Sequence, residues 1–212
     1  TRSSWVTGVQ TCALPFCSVD PKKMRTKDLI FAGAFGAIYL VLMLIVVMVG
    51  GAIPILYLLS PLLVGIVCAT VYMLCVMRVR KFGAALIIGV LFALIAASPY
   101  IPGFCFAIGA ALLAELMLKL GDYRSRKMYV LSFVFFNLNM AGPFLMLAFE
   151  HERFIAIAEQ FSGAEHAAAL NSIAPTGYFW FVSLGLAIIG GLIGGLLSTK
   201  LIRKHFEKAG IV

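Results

Sequence analysis

Residues 29–49 form an unbroken apolar run entered from Lys22, Lys23, Arg25 and Lys27. A run of about 20 apolar residues is long enough to cross a hydrocarbon core as a helix. Five further stretches follow it, at 52–77, 82–98, 104–118, 128–149 and 177–202. A backbone inside lipid must satisfy its own hydrogen bonds, which leaves helices or a closed barrel. Barrel strands alternate polar and apolar residues, and these runs do not. Only 12% of the 212 residues are charged, against roughly 25% in a soluble domain. The expected fold class is all-α, a polytopic membrane protein with six transmembrane helices.

The breaks between runs carry their own signals. Gly50 and Gly51 close the first run, and the second opens with GGAIPILYLLSP. Proline is tolerated in the first turn of a helix. The part before Pro61 therefore reads as a structured outer loop, with the spanning helix starting near Pro61. Pro143 is expected to kink the outer half of the fifth span, because its missing N–H frees a carbonyl. The polar segment 150–176 is expected to form short helices broken at Ser162-Gly163, lying over the bundle as a lid.

Charge placement tests this layout. Net charge is +8, which in a soluble chain would raise the question of nucleic acid. Here fifteen of the seventeen basic residues lie before span one, after span two, after span four and at or beyond the end of span six, Lys200 included. Every second connection is thus basic, and the positive-inside rule places both termini in the cytoplasm. Topology accounts for the charge, and no nucleic-acid partner is expected.

Residues 1–17 read differently from the rest. Their start, TRSSWVTGVQTCALP, resembles translated sequencing-adapter read-through and lacks the order of a signal peptide. They are expected to be a disordered, non-native leader ahead of a membrane domain at 18–212. Cys12 and Cys17 fall in that leader. Cys68, Cys75 and Cys105 lie in apolar runs without metal-ligand spacing and read as small packing residues. No disulfide, metal site or cofactor is expected.

The chain contains no HExxH, GxSxG or GxxxxGK[ST] pattern, so neither catalysis nor nucleotide hydrolysis by this chain is expected. Uphill transport would then draw energy from a partner or an ion gradient. Glu115 is the one carboxylate well inside a span, four residues before Lys119, which suits an i,i+4 pair or a coupling role. Asn137 and Asn139 are roughly 200° apart on a helix. One can tie helices together while the other meets a ligand. Tyr178, Phe179, Trp180 and Phe181 open span six either as an interfacial belt or as a stacking wall. His151 and His166 on the outer loop are solvated, or hold a metal-bearing solute. Gly190 with Gly194, and Gly191 with Gly195, form two interlocked GxxxG pairs suited to close helix packing. In span one, Ala32 with Gly36, and Gly33 with Ala37, make a small-residue face that a second helix can approach.

Ala114-Glu115-Leu116, Gly121-Asp122-Tyr123-Arg124-Ser125, and Tyr72-Met73-Leu74 before the Arg78–Lys81 block resemble the MptD-type, or Trep_Strep, family of S components. S components are the substrate-binding subunits of energy-coupling factor (ECF) transporters. The resemblance runs from about Lys27 to the C-terminus. It implies a solute binder that docks on a transmembrane T subunit powered by two cytoplasmic ATPases. S components dock through a small-residue AxxxA motif on the first helix. The counterpart here is Ala32-x-x-x-Gly36, with Gly33 and Ala37 beside it, a departure that keeps the small size but not both alanines. The family picture places the solute near the outer face and tilts the whole subunit to deliver it. The expected cargo is a vitamin-like, aromatic or heterocyclic micronutrient. The candidate pocket residues are Tyr100, Asn137, Asn139, Phe144, His151, Tyr178 and Trp180. A haem or metal chelate is the alternative cargo, motivated by His151, His166 and Met140, and an autonomous carrier or channel is the alternative class.

Overall fold

The structure is a computed structural model that describes residues 24–97, 99–174 and 177–205. The proposed leader at 1–17 lies outside the described residues. Ten α-helices appear among them: α1 (Thr26–Gly51), α2 (Pro54–Leu58), α3 (Ser60–Val79), α4 (Ala84–Phe92), α5 (Ile101–Leu120), α6 (Arg126–Asn137), α7 (Ala141–Phe149), α8 (His151–Ser162), α9 (Ala164–Ile173) and α10 (Phe179–His205). A π-helical turn, Ala93–Ala97, extends α4, and a 3-10 turn, Leu138–Met140, joins α6 to α7. Five segments are long and apolar enough to span a membrane: α1, α3, α5, the α6–α7 unit and α10. The segment expected as the third of six spans is shorter, Ala84–Ala97.

The local breaks follow the chemistry of the residues at them. Pro54 and Pro61 both sit in first turns, so the chain makes the short α2 before α3 begins. Pro143 lies in the first turns of α7 rather than at a kink in one long helix. The irregularity falls just before it, at Leu138–Met140, where the carbonyl left without a Pro143 N–H would sit. Gly163, at φ +90°, separates α8 from α9.

Helix α10 packs one face closely against two neighbours, α3 and α6, and leaves its other face exposed. A Cβ on Gly194 would collide with the Gly65 carbonyl oxygen, and one on Gly190 would lie 2.6 Å from the Leu62 carbonyl oxygen. Backbones this close require glycine. The contacts climb together, Leu62 with Gly190, Gly65 with Gly194 and Thr70 Oγ1 with Ser198 Oγ at 3.0 Å, so α3 and α10 run parallel. Gly191 meets Val134 and Gly195 meets Val130, so α6 runs antiparallel to α10. Gly89 packs on Ala111, and Ala85 lies beside Glu115, so α4 and α5 are antiparallel as well. The glycines expected to pack helices therefore divide between two neighbours: Gly190 and Gly194 meet α3, while Gly191 and Gly195 meet α6.

These directions bring the start of α1, the α3–α4 turn, the α5–α6 turn and the end of α10 to one end. Lys81 is ion-paired with Asp28 at 2.7 Å across that end, and the Arg78 guanidinium sits over the Phe31 ring. Arg153 apart, the basic residues on described elements belong to this end. An inner core of Tyr39, Tyr72, Phe133 and Phe136 fills the bundle between the helices.

The small-residue face of α1 is split between two environments. Ala32 and Gly36 are buried with Tyr39, Leu40 and Met43. A Cβ on Gly36 would lie 2.8 Å from Leu91 Cδ1, so this pair seats α4 within the subunit. That corrects its expected place as an outward docking face. The outward surface of α1 runs past Gly33, which is half-buried with nothing within 4 Å of an added Cβ, and Ala37, which is exposed.

Substituting Gly194 should test the α3–α10 crossing. Gly194→Ala is expected to lower the stability of the detergent-solubilised protein by about 1–3 kcal/mol through overpacking. Gly185→Ala, where an added Cβ meets nothing within 4 Å, should leave thermal melting unchanged or slightly raised. Equal effects at both positions would contradict the crossing.

Candidate functional site

At the end opposite the basic residues, aromatic side chains from five helices converge. Phe144 on α7 is their hub. Its ring centroid lies 5.7 Å from Tyr57 on α2, 6.3 Å from Phe154 on α8 and 6.2 Å from Phe179 on α10. Tyr100, just ahead of α5, belongs to the same cluster, and Leu170 on α9 closes it. Trp180 packs edge-on against Phe106 at 5.8 Å, and its Nε1–H donates to the Ala141 carbonyl at 3.1 Å. The α8–α9 segment covers this cluster with Phe154 and Leu170, as amphipathic helices over an apolar surface do. Arg153 anchors α8 by an ion pair with Glu150 at 2.8 Å and by donating to the Pro99 carbonyl at 3.3 Å.

Beneath the cluster, the α6–α7 break carries the two asparagines. Asn137 Nδ2 donates to the Pro61 carbonyl at 3.0 Å and the Ala187 carbonyl at 2.8 Å. Both of its donors are engaged in tying α6 to α3 and α10. Asn139 lies two residues before Ala141 and is completely buried, yet neither Nδ2 nor Oδ1 has a hydrogen-bond partner. Leaving a buried polar group unpaired costs about 1–3 kcal/mol. Asn139 thus presents a donor and an acceptor, both unmet within the described residues.

The expected pocket residues fall into three groups. Tyr100, Phe144 and Trp180 come together in the aromatic cluster, and Asn139 lies at the helix break beneath it. His151 links α8 to α9 through Nε2, 2.8 Å from Asn171 Oδ1, while its Nδ1 is buried without a partner. Asn137 acts as a helix tie, and Tyr178, 59% exposed, stands outside the cluster. Phe179, one of the four aromatics that open span six, joins the wall, while Tyr57, Phe106 and Phe154 complete it without having been expected as pocket residues. The one available signal for Tyr57 was its place in the structured loop before Pro61. Phe154 repeated with Ile157, Ala158 and Phe161 at helical spacing. Among the described residues, no group of three or more His, Cys, Asp or Glu side chains could hold a metal.

Glu115, the one carboxylate inside a span, works at the basic end. It is fully buried. Its Oε2 accepts the Ala85 N–H at 3.0 Å and the Leu86 N–H at 3.4 Å, and its Oε1 accepts the Tyr123 hydroxyl at 3.0 Å. Gly83 precedes α4 at φ +107° and has no side chain with which to cap it. A carboxylate from α5 therefore caps that helix, which favours a negative charge at its N-terminus. This replaces the expected pairing of Glu115 with Lys119. Burial, and then the Glu115 charge, push the Tyr123 phenol above its ordinary range. It thus remains a neutral hydroxyl donor at physiological pH.

Fold and site together define a multi-pass, helical membrane protein. The family described as hypothetical bacterial integral membrane protein (Trep_Strep) matches residues 26–208. The chain belongs to this family. Comparison with curated proteins and with solved structures gives no match.

Capping and ion pairing by Glu115 make different predictions. Glu115→Leu leaves two α4 amides and the Tyr123 hydroxyl without acceptors, and should cost about 1–3 kcal/mol in thermal or denaturant unfolding. Lys119→Gln should change stability little, because Lys119 is exposed. Comparable losses from the two variants would restore the ion-pair explanation.

Proposed function

We propose that this protein is the substrate-binding S component of an ECF-type importer, without enzymatic activity of its own. In this role it captures a scarce, vitamin-like aromatic or heterocyclic solute at the outer face. It then hands the solute to a T subunit driven by two ATPases. The supporting observation is Asn139, a fully buried amide with both polar atoms unpaired, set beneath aromatic rings from five helices. A planar solute with an adjacent donor and acceptor would complete the hydrogen bonds of Asn139. Its ring would pack against Phe144, Trp180 and Tyr100. The buried Nδ1 of His151 offers a second polar contact from the covering helices.

The topology in this proposal has six crossings, with Ala84–Ala97 as the short one and both ends cytoplasmic. Gathering of the basic residues at one end supports that orientation under the positive-inside rule. The T subunit would meet α1 on its outward side, through Gly33 and Ala37. There a partner helix can come close without displacing anything in this chain.

Native mass spectrometry of gently extracted protein should detect a retained solute. Asn139→Leu should abolish its retention without lowering the melting temperature, since leucine removes an unpaired polar group. Asn137→Leu should lower stability instead. Retention that survives Asn139→Leu would exclude Asn139 from the pocket. Gly33→Leu combined with Ala37→Leu should abolish copurification with the T subunit. Full copurification of that variant would rule out this docking face.

A further inference from the structure

The described residues contain three non-glycine positions with left-handed backbone, Arg80 (φ 49°), Asp122 (φ 47°) and Tyr123 (φ 53°). All three line one cavity of about 950 Å³ at the basic end, between the α3–α4 turn and the α5–α6 turn. Residues held in sparsely populated backbone conformations cluster where a site is built. Lys119 and Arg124 line the same cavity, as does Lys81, whose charge is met by Asp28 at 2.7 Å. That leaves Arg80, Lys119 and Arg124 facing the single carboxylate of Asp122. Among the described residues neither Lys119 nor Arg124 meets a carboxylate.

We propose that this cavity binds the phosphate-bearing headgroup of an anionic phospholipid. Membrane orientation by itself requires basic residues at one end but no hollow for them to surround. Here the two walls are fixed to each other from below. Glu115 accepts amides of α4, just after the Arg80–Phe82 wall, and the hydroxyl of Tyr123 in the other wall. The Tyr123 carbonyl in turn accepts the Tyr129 hydroxyl. The turns that carry the cations are therefore fixed on either side of the space before a ligand arrives, which lowers the cost of ordering the site. Guanidinium and ammonium groups donate charge-assisted hydrogen bonds to phosphate oxygens. Phe82, on the rim and 52% exposed, offers apolar contact to the glycerol and upper acyl chain. Basic pockets at the ends of membrane helices suit anionic headgroups for these reasons.

The test uses the full chain in micelles containing phosphatidylglycerol or phosphatidylcholine, with bound lipid counted by native mass spectrometry. Phosphatidylglycerol should be retained in preference to phosphatidylcholine. Lys119→Gln with Arg124→Gln should weaken that retention about five-fold for each cation removed. Lys200→Gln with Lys204→Gln, at the same end but outside this cavity, should leave it unchanged. Thermal melting of both double variants should match the unsubstituted protein, since all four side chains are exposed. Undiminished retention in the first variant, or equal loss in both, overturns the proposal. Displacement of the lipid by glycerol phosphate at equal concentration would assign the cavity to a soluble anion. Displacement by hexaglutamate would assign it to an acidic protein segment. Either result overturns the lipid proposal.

Discussion

The close approach of α3 and α10 at Gly65, Gly190 and Gly194 is the contact on which the other packing depends. Lipid tails are as apolar as leucine, so helices there gain little from hiding apolar surface and associate through dense packing and hydrogen bonds. With these backbones nearly touching, Asn137 reaches carbonyls on both helices at once. That amide fixes the end of α6, and so fixes where the Leu138–Met140 turn begins. Asn139 is then buried on a different side of the same turn, without partners. Side chains with volume at the three glycines would move α6 and the polar groups it carries.

The two ends of the bundle are built from different chemistry. The basic end is joined by specific polar links, Lys81 to Asp28 and Glu115 to Tyr123 and the α4 amides. Such links hold turns rigidly and keep charge where water and headgroups can solvate it. The other end combines aromatic contacts around Phe144 with polar links of its own, Arg153 to Glu150 and the Pro99 carbonyl, His151 to Asn171, and Trp180 to the Ala141 carbonyl.

Much of the fold was legible in the sequence, because lipid allows few solutions. The apolar runs located the helices to within a few residues, and Pro61 correctly placed the start of α3. The basic blocks identified the ends that come together. Three features were not legible, each because it depends on partners distant in the chain. Glu115 has Lys119 one turn away, but its real partner is the start of α4, thirty residues earlier in the chain for Ala85. Ala32 and Gly36 announce a close contact without saying with what, and Leu91 of α4 takes it. Helical geometry said that Asn137 and Asn139 face different ways. Only the arrangement of α3 and α10 decides whose donors are met, those of Asn137. Of the candidate site, the sequence supplied Tyr100, Phe144 and Trp180, and Phe179 as one of the aromatics opening span six, but not Tyr57, which joins them only once α2 is in place.

The proposed role is most directly tested by solute flux in sealed liposomes holding this chain alone, compared with liposomes that also contain the T subunit and both ATPases. A passive binding subunit should retain solute but move none across the bilayer until the partners and ATP are supplied. Sustained, saturable uptake by the chain alone would contradict that role.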